Sequence, residues 1–135
     1  MAQPDHGWRN EIIELHAFFE AYFLGVIDSL ERFERVLSPQ FTMVGPHGNS
    51  HDRSSVIEAV RAGHGHSDSL VISTTDHRLL ARRNGTLVAE YVEHHQLAET
   101  SNHRITTAVF EAEPAAPNGV VWLRVHETWA PTNED

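Results

Sequence analysis

The sequence predicts an α+β fold, with three N-terminal helices packed on a strongly curved, mostly antiparallel sheet. Two observations carry this. Helix-like segments fill the first half of the chain and long strand-like segments fill the second, an order that segregates helices to one face of a sheet. The strand-like segments also run to about ten to twelve residues, roughly twice the usual length. Strands that long twist and curl. A curled sheet with helices laid across it encloses a hollow.

Residues 8–26 read as the first helix. Ile12, Leu15, Phe19 and Phe23 recur at three- and four-residue spacing, with Tyr22 and Val26 beside them, while Arg9, Glu11, Glu14 and Glu20 take the wet side. His16 borders the apolar stripe and reads as a boundary histidine. Asp28 and Glu31 suit a capping box for a second helix that buries Leu30, Phe33 and Leu37 and stops at Pro39. Phe41 to Val44 is a short strand, and Gly45 to Asn49 a turn. Asp52 or Ser54 caps a third helix carrying Val56, Ile57 and Val60, which ends at Gly63.

Four long strands follow. Ser69–Arg83 and Thr86–Leu97 flank Asn84-Gly85, whose residue types favour the positive φ that a tight hairpin needs. His103–Ala112 and Val120–Ala130 flank a looser, proline-rich turn. The whole chain, 1–135, reads as one domain with its core over about 9–130.

Composition narrows the function classes. The net charge of −9 argues against a nucleic-acid or anionic-membrane partner, since phosphate binding needs clustered Lys and Arg. With no Cys there is no disulfide or thiolate chemistry. No apolar run approaches the roughly 20 residues that span a bilayer, and the polar first residues do not resemble a signal peptide. A cytoplasmic location is the expectation.

Side chains alternate across a strand, which sorts candidate pocket residues. In the hairpin arm, Leu87, Ala89, Tyr91, Glu93, His95 and Leu97 share the bulkier face and are expected inward. In the last strand, Leu123 and Val125 are expected inward, with Glu127 and Trp129 at the rim of the hollow. Trp122, Arg124 and His126 then fall on the outer face with Ile105 and Val109, and are read as interface residues. Two carboxylates and an imidazole among aromatic walls suit acid–base chemistry, because burial moves a carboxyl toward proton-transfer pKa values. Glu93, His95 and Glu127 are therefore the candidate catalytic residues. The alternative is that Glu93 and Glu127 pair with Arg104 or Arg124 and hold the sheet together. Phe19, Tyr22, Met43, His47, Tyr91 and Trp129 are the candidate ligand-binding residues.

The histidines include pairs at metal-like spacing: His47 with His51, His64 with His66, and His94 with His95. Adjacent strand residues point to opposite faces, and His64 and His66 flank a glycine in a linker. No metal site and no cofactor motif is expected.

The order helix, helix, short strand, helix, four long strands resembles the nuclear transport factor 2-like superfamily, also called SnoaL-like, with its cystatin-like cone. The terminal Trp122-x-x-Val125-His126-Glu127-x-Trp129 resembles the last strand of its uncharacterised bacterial branch. It is also similar to the association domain of calcium/calmodulin-dependent kinase II, as is Glu99-Thr100-Ser101-Asn102 followed by a strand. The resemblance implies a pocketed scaffold that hosts isomerases, dehydratases, polyketide cyclases, binding proteins and assembly hubs. The kinase association domain lines its pocket with arginines. The matching positions here are Glu93 and Ala108, which argues against an anionic ligand of that type. The Asp, Tyr and Asp set of steroid-isomerase relatives has no counterpart at matching positions, and Tyr22, Glu93 and Glu127 match it only by residue type.

Three functions stay open. The first is a homodimeric small-molecule-binding domain. The second is an enzyme of the isomerase, dehydratase or cyclase type with a carboxylate base. The third is an oligomeric assembly module.

Overall fold

The computed structural model describes residues 4–131. Its elements are α1 (Pro4–Phe23), α2 (Glu31–Val36), β1 (Leu37–Val44), β2 (Ser50–Asp52), α3 (Arg53–Ala62), β3 (Val71–Arg83), β4 (Thr86–Gln96), β5 (Ser101–Ala112) and β6 (Val120–Trp129). The strands form a six-stranded sheet in the order β2-β1-β6-β5-β4-β3. β1 runs parallel to β6, and every other neighbouring pair is antiparallel.

The α1 backbone comes close to β3 and to β6 and stays farther from the two strands between them. A sheet that curls round a helix in this way leaves a hollow under its middle strands. Two register irregularities in β3, with Asp76 at φ 56°, bend the strand that closes the curl. The hairpin between β3 and β4 turns at Asn84 and Gly85, with φ of 48° and 84°. Both values are positive, as a two-residue hairpin loop demands.

α1 ends at Phe23, and Val26 lies beyond it, 75% exposed, outside the apolar stripe. Glu11, expected on the wet side, is fully buried. Arg32 donates to both of its carboxylate oxygens at 3.2 and 2.8 Å, and Trp122 Nε1–H donates to Oε2 at 2.9 Å. Asn118 donates to Glu11 and to Glu14 at 3.1 and 2.9 Å, which ties the β5–β6 turn to the helix. The charge is tolerated there because it is paired and hydrogen-bonded.

The capping box expected from Asp28 and Glu31 does not form. Ser29 Oγ accepts from the Glu31 amide at 3.1 Å instead, and Asp28 takes a hydrogen bond from His64 at 3.1 Å. Asp52 caps α3 by accepting from the Ser55 amide at 2.9 Å. β1 begins at Leu37, four residues before the expected Phe41, and contains Pro39. Its pairing with β6 shifts register between Leu37 and Thr42, which suits a residue with no N–H to donate to a ladder.

The last strand carries the main correction. Phe110 pairs with Trp122 while Val109 pairs with Arg124, so Leu123 is an extra residue in β6. Such a bulge reverses the alternation on one side of it. Val120 and Trp122 therefore face inward with Val125 and Glu127, and Leu123 is only half-buried. Trp122 is 2% exposed and lies in the core against Phe110, with ring centroids 4.6 Å apart. It is no part of an outer interface. Arg124 and His126 do lie on the exposed face. Among the described residues no helix is long and apolar enough to cross a membrane.

Candidate functional site

The inward side of β4, β5 and β6 can be followed row by row through its register. Leu87, Phe110 and Trp122 form one row, and Ala89, Ala108 and Val125 the next. These are buried and apolar. Tyr91, Thr106 and Glu127 form the third row, Glu93, Arg104 and Trp129 the fourth, and His95 with Asn102 the fifth. The sheet thus changes along its length from an apolar floor to a polar wall.

A cavity of about 250 Å³ lies against that wall. Phe19, Phe23, Phe33, Phe41 and Met43 line its apolar side together with Trp122 and Tyr91, and His16, Glu93, His95, Arg104 and Glu127 supply its charged and titratable groups. Of the residues expected from sequence, Phe19, Met43, Tyr91, Glu93, His95 and Glu127 meet here. Tyr22, His47 and Trp129 do not line the cavity. Tyr22 is buried and stacks on Phe18 at 5.6 Å. Trp129 is 39% exposed, with the Arg104 guanidinium 4.8 Å from its ring centre and the His47 ring 5.4 Å away. Trp129 ends β6 and His47 lies in the turn between β1 and β2, so both rings sit outside the cavity.

Two polar lining residues, His16 and Arg104, were not among the candidate site residues, and Trp122 lines the cavity instead of the outer face where it was expected. His16 is buried. Its Nδ1–H donates to the Ile12 carbonyl at 2.8 Å, and its Nε2 lies 3.2 Å from Glu93 Oε1. The other carboxylate oxygen of Glu93 lies 2.6 Å from His95 Nε2. Since Nδ1 of His16 already carries a proton, its Nε2 contact with Glu93 holds a second one. Burial opposes the imidazolium, but the Glu93 charge and hydrogen bond and the Ile12 carbonyl outweigh it, so the pKa of His16 is raised. Burial likewise opposes the Glu93 carboxylate, and His16 and His95 together overcome it, holding Glu93 far below the usual carboxylate range.

Glu127 goes the other way. Burial first, and then the negative charge of Glu93, push it from 4.5 up to about 7, against the pull of Arg104. Arg104 Nη1 donates to Glu127 Oε1 at 3.3 Å and Nη2 donates to Asn102 at 3.2 Å. Its buried Nε–H has no hydrogen-bond partner among the described residues. Tyr91 is raised well above its ordinary value by burial and by the two carboxylates, so its hydroxyl stays protonated.

Chemically, the wall offers one carboxylate fixed in its charged form and one poised near neutrality. It also offers an imidazole whose tautomer is set. Ionised Glu93 is an acceptor, so His95 presents its Nε2–H to Glu93, which in the neutral tautomer leaves the lone pair on Nδ1. The arginine pairing weighed as a structural alternative holds for Glu127 through Arg104. Arg124 instead donates to Thr42 at 2.8 Å. Elsewhere, His51 contacts Ser55 at 3.1 Å, and among the described residues no group of three His, Cys, Asp or Glu could hold a metal ion.

Known proteins share this architecture. A nuclear transport factor 2-like protein of unknown function from Pseudomonas aeruginosa matches with a TM-score of 0.85 at 24% identity, over 93% of this chain and 99% of that one. The S. rosetta calcium/calmodulin-dependent kinase II hub matches with a TM-score of 0.76 at 14% identity, over 96% of this chain and 99% of the hub. An uncharacterised protein with a cystatin-like fold from Caulobacter vibrioides matches with a TM-score of 0.65 at 14% identity, over 88% and 86%. These likenesses show the nuclear transport factor 2-like, cystatin-like fold and nothing about activity. No curated protein matches in sequence. A family model does match, across residues 8–131, and by that match the chain belongs to the sucrose-6-phosphate phosphohydrolase C-terminal family.

Proposed function

We propose that this chain is a small-molecule-binding domain that takes a mainly apolar ligand into the cavity under β4, β5 and β6. The supporting observation is the cavity itself: about 250 Å³, aromatic on most sides, with polar groups on one wall. That division is the usual form of a ligand site. A dry apolar cavity of about 150 Å³ holds a benzene ring, so the space here suits one ring with a short substituent. The unpartnered Arg104 Nε–H adds to the argument. A buried donor left unmade costs about 1–3 kcal/mol, and a ligand oxygen beside it would recover that. Calorimetric titration with a neutral ring compound, 2-phenylethanol, tests the reading. Saturable binding that a space-filling change at a lining residue, Val60→Phe or Val56→Phe, abolishes supports it. Failure of every ring compound, neutral or charged, to bind overturns it.

The same reading includes a homodimer. The outer face of β5 and β6 carries Ile105, Val109, Arg124 and His126 around a shallow groove. Sedimentation of the wild type beside Val109→Asp tests this. A monomeric wild type would rule it out.

A catalytic reading is favoured by one observation. Glu93 lies inside the cavity, within 2.6 Å of His95, and its recorded partners are histidines. In that reading the roles differ from those expected from sequence. Glu93 orients, His95 Nδ1 is the base, and Glu127 is the group able to give up a proton near neutral pH. Exchange of α-protons of 2-indanone for deuterium, lost in His95→Ala, is the corresponding assay.

A further inference from the structure

The charged groups on the cavity wall do not balance. Two carboxylates, Glu93 and Glu127, face one permanent cation, Arg104. Arg104 is committed elsewhere: it donates to Glu127 and Asn102 and lies over the Trp129 ring at the rim. Glu93 is left with two imidazoles, His16 from α1 and His95 from its own strand. Its counter-charge is therefore a proton. Geometry places that proton at His16 Nε2, because His16 Nδ1–H is already spent on the Ile12 carbonyl. The wall is a cation site in which the bound cation is H⁺.

From this we infer that the cavity selects a ligand with an ammonium group on an apolar ring-bearing body, and that the ammonium takes over the charge His16 now supplies to Glu93. An ammonium has three N–H donors and no acceptor. One donor reaches the Glu93 carboxylate. As it does so, His16 Nε2 gives up its proton to solvent, and the freed lone pair accepts from a second donor. His16 loses one proton and the site gains one ammonium, so net charge is conserved. The aromatic walls favour the same ligand. Phe19, Tyr91 and Trp122 surround the His16 ring, with centroids 5.5, 5.4 and 6.4 Å from it, and aromatic faces attract an adjacent cation.

The other titratable groups around the site fit the exchange. Tyr91 stays neutral, and His77, stacked on Tyr91 at 6.3 Å, is biased toward its neutral form. Glu127, raised by burial and by Glu93, keeps its electrostatic surroundings, because one positive charge beside Glu93 replaces another. An aromatic carboxylate, by contrast, would bring a third negative charge against this wall.

The inference rests on the cavity being a ligand site, and the test separates the two. Three probes of one shape are titrated calorimetrically at pH 7.5: 2-phenylethylamine, 2-phenylethanol and 3-phenylpropionate. The expected result is that the amine binds about tenfold or more tighter than the alcohol, in line with one charge-assisted hydrogen bond. Amine binding should also release protons, read as a difference in heat between phosphate and HEPES buffers. The carboxylate should bind weakest. In Glu93→Gln the amine should fall to the level of the alcohol, while continued alcohol binding shows that the variant is folded. Equal affinity for amine and alcohol, tighter binding of the carboxylate, or full amine selectivity in Glu93→Gln would overturn the ammonium assignment and leave the ligand site standing. Binding of none of the three would remove both.

Discussion

Replacing Glu127 with Gln isolates the buried carboxyl on which the electrostatics of the cavity turn. Glu127 is 6% exposed, and burial together with the Glu93 charge moves it from 4.5 to about 7. A carboxyl whose folded value is raised adds stability while it is protonated. That contribution is full below about pH 4.5 and disappears as pH rises through about 7. The gap amounts to about 3 kcal/mol in total, most of which falls between pH 5 and pH 8. Glutamine keeps the shape and cannot titrate. Below about pH 7 Glu127 is itself protonated, so Arg104 lacks an ionised partner in both proteins, and the pull of Arg104 above that pH is already contained in the raised value. Urea unfolding followed by tryptophan fluorescence at pH 5, 6, 7 and 8 reads the difference directly. Wild-type stability should fall relative to Glu127→Gln by about 2–3 kcal/mol across the series. Parallel curves for the two proteins would refute the burial argument for this residue.

Further outcomes follow from particular contacts. Trp122→Phe removes the indole donor to buried Glu11 and should cost about 1.5–3 kcal/mol in urea unfolding. Because Trp122 is in the core, the change should leave the sedimentation coefficient unaltered. Asp52→Ala removes the α3 cap and should cost about 1 kcal/mol in the same assay. Gly85→Ala places a Cβ at φ 84° in the β3–β4 turn and should cost about 1 kcal/mol, with the loss seen first as faster amide exchange in the hairpin. Acidification should also weaken the His16–Glu93 pair. Glu93 is depressed, so its contribution is present above about pH 4.5 and is lost as pH falls further, whereas the raised His16 adds stability that is lost as pH rises. Thermal melts of Glu93→Gln and wild type should therefore begin to approach each other below about pH 4.5 and meet only in much stronger acid, where Glu93 itself is protonated.

Much of this architecture is legible in the residues, for identifiable reasons. Asn84-Gly85 marks a hairpin because few other pairs accept two positive φ values. The alternation Leu87, Ala89, Tyr91, Glu93 reads correctly because β4 keeps an unbroken register with β5 over its length. β6 does not, and its extra residue at Leu123 moved Trp122 from the outer face to the core. Nothing in Val121-Trp122-Leu123-Arg124 signals that bulge. The tryptophan's partner, Glu11, is 111 residues away in sequence. Glu11 and His16 were obscured differently. Both fall on the periodic stripe of α1 with Ile12, Leu15 and Phe19, so periodicity alone places them inside. Their polarity argued the other way, and only the long-range partners Arg32, Trp122 and Glu93 show how their burial is tolerated. Arg104 was recognised as a possible partner of the glutamates, but its place on the cavity wall depended on the β4–β5 register. Tyr22, His47 and Trp129 have pocket-forming chemistry, yet their positions, one packed against Phe18, one in the β1–β2 turn and one at the end of β6, take them out of the cavity.

The account rests on two carboxylates sharing a largely apolar, ligand-accessible interior. Its most direct test follows the Glu127 side-chain carboxyl carbon by NMR through a pH titration of ¹³C-labelled protein, with and without 2-phenylethanol. The midpoint should lie near 7 in the free protein, and the resonance should be displaced when the alcohol is bound. A midpoint at the ordinary value of 4.5, unmoved by the alcohol, would contradict it.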